Sequence, residues 1–270
     1  MLIDAWIQHP TPAFVAHPMF ASLRRWMGIT TIPDELPIEL TLAMLDAAGI
    51  QRALTSAWCG DTGWMISNEE VAQAVEAAPD RLFGVGSVDL NDPLEAVREV
   101  RRCKARGFVG IRLLPWLWRL PPNDRRYYPV YVACIEEGLP FCLQIGHTGP
   151  MRSSEFGRPI PYLEDVLLDF PELVVVGGHV GAPWIHEVLT LVHKFPNFHV
   201  DTSAYKLKRL PPELVKLMQG RGRSRVLFGS NYPMIPPSSA LDGLEGLGLD
   251  EEARALFLGG NAARVFGLEP

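Results

Sequence analysis

The feature that most constrains this chain is a rhythm: short apolar, β-branched runs alternate with helix-patterned segments from end to end. Four runs occupy the first half: LIDAWIQ (2–8), RALTSAW (52–58), LFGVGSV (82–88) and FVGIRLL (108–114). Four more follow as PFCLQIGH (140–147), LVVVGGHV (173–180), FHVDTSA (198–204) and RVLFGSN (225–231). Helical patterns between them fall at about 38–49, 67–78, 92–105, 128–138, 161–169, 183–194 and 211–219, with 250–258 and a last piece, NAARVFGL, behind. The units average about 34 residues, the repeat of a (β/α)8 TIM barrel of about 250 residues. Near-continuous apolar strands are those of a parallel sheet covered on both faces. An open doubly wound sheet is the rival, but no Gly-rich phosphate turn supports it. The expected fold is therefore α/β, a single (β/α)8 barrel domain over 1–270, with a long loop insertion at about 9–37.

Composition narrows the partners. A net charge of −6 argues against nucleic acid and anionic membrane surfaces. Four cysteines without a CxxC pair suit core residues in a reduced, cytoplasmic setting. MLIDAWIQ reads as a strand rather than a leader, and Gly, Pro or His interrupts every apolar stretch well short of a membrane span. Exposed faces of the 9–37 loop could support a homodimer.

In such a barrel the site forms at the carboxyl ends of the strands. His147 and His179 end the fifth and sixth runs, each followed by x-Gly, so two imidazoles on adjacent strands can converge on one ion or one substrate oxygen. Asp201 ends the seventh run beside Ser203 and Tyr205, either as a proton acceptor or as a buried hydrogen-bonding group. Arg112 points from a barrel strand and needs an anion, which is either an internal carboxylate or a substrate acid. Six of seven tryptophans, among them Trp6, Trp58 and Trp116, fall at or just past strand ends. They predict an apolar, aromatic-lined pocket for a planar or cyclic small organic acid, with Arg158 on a loop (SSEFGRP) over it.

The opening IDAWIQHP, GHTG, GGHVG and VLFGSNYP, in this order, resemble the amidohydrolase superfamily, and within it the amidohydrolase 2 branch of decarboxylases and lactone hydrolases. The resemblance implies a barrel whose usual divalent metal is held by a strand-one pair, a strand-five His and a strand-eight Asp. His147 matches the strand-five ligand and His179 the strand-six His, but the strand-one pair falls on Trp6 and Gln8, and Asn231 replaces the Asp. Indole does not ligate metals, and neutral amides are weak ligands for zinc. The expectation is accordingly no cofactor; if there is one, it is a single zinc or manganese on His147 and His179, helped by Gln8 or His9. Asn231 can donate to an oxyanion but cannot act as a base.

The leading expectation is a hydrolase of a lactone, ester or amide bond in a small cyclic or aromatic carboxylate. His147 or His179 activates water, Arg112 anchors the carboxylate, and Asn231 binds the oxyanion. Gln8, Trp6, Trp58, Trp116 and Arg158 complete the substrate surface. Non-oxidative decarboxylation of an aromatic or muconate-type acid is the alternative, and a non-catalytic small-molecule binder the third reading.

Overall fold

A computed structural model describes residues 1–268, apart from the side chains of Trp26 and Met27. Eight parallel strands follow one another around a barrel in chain order: β1 Ile3–Ile7, β2 Arg52–Ser56, β3 Leu82–Gly86, β4 Gly110–Leu113, β5 Phe141–Gln144, β6 Val175–Gly178, β7 Phe198–Asp201 and β8 Val226–Leu227. The ring closes between the last strand and the first. Ala5 N donates to Phe228 O at 2.9 Å and Asn231 N to Trp6 O at 2.8 Å. Alternation along β1 separates Asp4, Trp6 and Gln8, which face inward, from Ile3, Ala5 and Ile7, which pack outward against the helices.

Local signals set the helices. Ser67 and Glu70 form the capping box that starts Asn68–Ala77, and Asp92 caps Pro93–Ala105. The 9–37 segment, read as a loop, instead carries helices Pro12–Ala16 and Ala21–Met27. Thr11 caps the first, with proline in its opening turn, and Gly28 ends the second at φ 71°. Ala57 breaks the second run, and Trp58–Gly60 pairs with Gly63–Ile66 as an antiparallel hairpin over the mouth. Among the described residues no helix is long and apolar enough to cross a membrane.

Several strands end two to four residues before the apolar runs do, and the overhang builds the site. His179, Val180 and Asn231 have φ of 72°, 62° and 69°, a region costly for side chains larger than glycine. These residues leave the ladder, so their side chains turn across the mouth instead of alternating along a strand.

Candidate active site

Just beyond β5, His147 N donates to Ala182 O at 2.7 Å, which ties its loop to the one after β6. Gly146 is required there: at φ 84°, a Cβ would stand 2.6 Å from that same carbonyl oxygen. The His147 ring is exposed, whereas His179 is buried. His179 Nδ1 lies 2.6 Å from Ser203 Oγ, and Ser203 Oγ makes a short hydrogen bond to Asp201 Oδ1. Asp201 Oδ1 also accepts from Ser203 N at 2.8 Å. The single hydroxyl proton of Ser203 goes to the carboxylate, so Nδ1 of His179 carries hydrogen and donates to the serine. Nε2 is then left as a lone pair for the cavity. Burial first, then Arg112 and His147, pushes the His179 pKa down to about 3. Burial pushes Asp201 up to about 6 despite its donors. The resting ring is neutral, with Nε2 an acceptor that burial keeps from protonation.

The β1–β8 side is packed rather than polar. The Trp6 ring fills the space left by Gly178, where a Cβ would stand 2.5 Å from Trp6 Cζ3, and its edge meets His179 with centroids 5.2 Å apart. The Arg112 guanidinium lies on the Trp6 ring, 3.6 Å from the ring centroid. It donates to Ser56 Oγ and, at 3.4 Å each, to Ile7 O and Ala5 O. Burial lowers its pKa to about 10, while Cys142, Asp201 and Asp4 oppose that shift. Arg112 thus lies inside the barrel and lines no cavity, contrary to its expected role as the substrate anchor. Its charge is offset at a distance by buried carboxylates, since no carboxylate contacts it among the described residues. Gln8 is buried too: Nε2 donates to Tyr232 O at 2.6 Å and Asn231 Oδ1 at 3.3 Å.

Between these sides lies a cavity of about 350 Å³. His147, His179 and Asn231 reach it, as do Trp58 and Trp116. The sequence reading missed Gln144, which lines it as well. It accepts from Trp116 Nε1 at 2.7 Å and donates to His147 O at 2.8 Å. Alternation from Cys142 along β5 places Gln144 inward and could have revealed it. Tyr205, read beside Asp201 at the end of the seventh run, lines the cavity too; Phe20 and Met234 are further walls, and no signal local to those two marks them. Trp6, Gln8 and Asp201 stand behind the lining. Arg158 does not reach it; its Nη2 pairs with Glu187 at 2.9 Å. Arg119 and Arg152 are directed to Asp61.

The donors do not assemble a metal centre. Among the described residues no three His, Cys, Asp or Glu side chains are grouped to hold an ion. Asn231 Oδ1 is engaged by Gln8, an indole fills the strand-one position, and a guanidinium lies against that indole's ring. His9 is turned away, with Nδ1 2.8 Å from Thr41 Oγ1.

An eight-stranded parallel barrel with paired histidines at its carboxyl-end mouth defines a class of proteins. The chain belongs to the amidohydrolase family, whose profile matches residues 37–268. It is 23% identical to gamma-resorcylate decarboxylase of Polaromonas sp. (strain JS666 / ATCC BAA-500), over 87% of this chain and 85% of that one. Among solved structures it is similar to an uncharacterized TIM-barrel protein, Bb4693, from Bordetella bronchiseptica, with a TM-score of 0.84, 26% identity and 98% of each chain covered. It also shares the fold of a dihydroxybenzoic acid decarboxylase from Polaromonas sp. JS666 solved with manganese, with a TM-score of 0.74, 19% identity and coverage of 99% and 97%. Decarboxylases predominate among these relatives, which corrects the expectation of a hydrolase.

Proposed function

We propose that this protein is a non-oxidative decarboxylase, a carbon–carbon lyase, acting on a small aromatic or muconate-type acid without a catalytic metal. The observation that carries the reading is a pair of imidazoles lining one aromatic-walled cavity that contains neither a carboxylate nor a lysine or arginine. A carboxylate in such surroundings is poorly solvated, and departure of neutral CO₂ relieves that cost. Asn231 Nδ2 supplies a hydrogen bond to the acid. For a ring bearing a hydroxyl beside the carboxylate, His179 Nε2 accepts a hydrogen bond from that hydroxyl while Ser203 and Asp201 hold the ring of His179 in place. Electron density then reaches the carbon bearing the carboxylate, and His147, exposed to solvent, brings a proton to that carbon. The carbon–carbon bond breaks, and its electron pair restores the aromatic ring. One proton is consumed for each CO₂ released.

Hydroxybenzoates incubated with metal-free protein in D₂O test this directly. The expected result is CO₂ release, with one deuterium at the vacated ring carbon and no loss of rate after chelation. Absence of CO₂ from every hydroxybenzoate and muconate tried, or a rate that collapses on chelation and returns with manganese, overturns it.

A further inference from the structure

A second cavity, of about 200 Å³, lies beside the first and shares Phe20, Leu23 and Met234 with it as common walls. It is built from the helical 9–37 segment against the residues after β8, and its remaining lining is largely apolar: Val15, Ile29 and Leu36 among others. One cation enters it. Arg24 uses Nη1 to donate to Val15 O at 2.5 Å and His17 O at 2.9 Å. Among the described residues no carboxylate pairs with it, and Nε and Nη2 are left without a protein acceptor. The catalytic cavity, in contrast, carries no arginine or lysine at all. An apolar chamber lined by a guanidinium that bonds only backbone carbonyls and no carboxylate among the described residues is complementary to an apolar stem that carries an anion at its tip.

We infer that the second cavity is a distal subsite of the substrate site. It takes an apolar extension of the substrate, with a terminal carboxylate or similar anion held by Arg24. The inference rests on the first cavity being where the reacting acid binds. The partition suits this role: Met234 is unbranched and adaptable, and Leu23 packs against Gly149 on the loop carrying His147, where a Cβ would lie 3.3 Å from Leu23 Cδ2. The preferred substrate is thus a ring or enoic acid with a long second arm, rather than a simple hydroxybenzoate.

Calorimetric titration with benzoate, 4-alkylbenzoates of increasing chain length, and the same chains ending in carboxylate tests the subsite independently of turnover. Each methylene that enters is expected to tighten binding by about threefold. The terminal carboxylate adds about a further fivefold, which Arg24→Met removes while leaving the methyl-ended series as it was. Ile29→Trp, which fills the second cavity, should collapse the ratio of long-chain to benzoate affinity, and Met234→Ala should raise it. Thermal melts confirm that each variant is folded. No affinity gain with chain length in wild type and Met234→Ala, or a gain that survives Ile29→Trp, overturns the subsite. If the gain appears but no hydroxybenzoate or muconate, with or without the long arm, loses CO₂, the decarboxylase reading fails and the subsite stands.

Discussion

The two sides of the barrel mouth have been treated in opposite ways. On the β5–β7 side polar groups are kept and connected: His179 to Ser203 to Asp201, with His147 beside them. On the β1–β8 side the positions that would face a metal are filled and closed. Trp6 occupies the hollow over Gly178, Arg112 lies on its ring, and Gln8 and Asn231 bond to each other. The changes at Trp6, Gln8 and Asn231 therefore form one packed unit rather than three separate losses. A bulky indole leaves no hollow for an ion, and a cation beneath it repels one. The polar side keeps its connections because its members bond to each other, not to the packed side.

The contrast is most easily broken at His179. His179→Ala should lower CO₂ release by about two orders of magnitude, the scale of a lost, fixed hydrogen-bonding group in the site, with the melting transition retained. Near-normal turnover would show that the connected side is merely structural.

The next effect is on stability, where the two sides pull against each other as pH changes. Burial raises Asp4, on β1, from 3.8 to about 7. The folded chain therefore holds that proton more tightly than the unfolded one, and stability from Asp4 is fullest below pH 4 and is lost as pH rises toward 7. His179 has the opposite sign. Its lowered value, about 3, means the unfolded chain protonates first, so stability falls as pH drops through 6.5. Asp4→Asn keeps the acceptor that Trp6 N and Ser230 N use. The variant should gain about 3 kcal/mol over wild type between about pH 5 and pH 8, read from urea unfolding. A difference that does not change with pH would refute the buried, protonated Asp4.

The smallest change sharpens the comparison. Asn231→Asp supplies the carboxylate usual for the family, yet Trp6 and Arg112 remain. Elemental analysis should find no stoichiometric zinc or manganese, and CO₂ release should drop about tenfold through loss of a donor to the substrate acid. One retained equivalent of metal would mean that the packed side opens readily.

Much of this was legible in the chain. All eight strands, their order and the capping box at Ser67 follow from periodicity and nearest-neighbour chemistry, and His147 and His179 mark adjacent strand ends. Strand limits were less legible, because left-handed residues such as His179 and Asn231 leave the sheet while still reading as strand in composition. The same applies to 9–37, where proline signalled a loop although it opens a capped helix. Arg112 was recognised as needing compensation, but not as lying on the Trp6 indole inside the barrel.

The amino-acid order alone determined the barrel, the strand ends at which His147 and His179 stand, and which residues, Trp6, Gln8 and Asn231, occupy the positions that the resemblance implies for metal ligands. These are properties of local pattern and residue type, which need no distances. Only the tertiary structure decided that Ser203 couples His179 to Asp201, that Arg112 serves the barrel interior, and that two cavities share a wall. Each of those depends on angstrom-scale approach between side chains far apart in the chain, and periodicity carries no information about that.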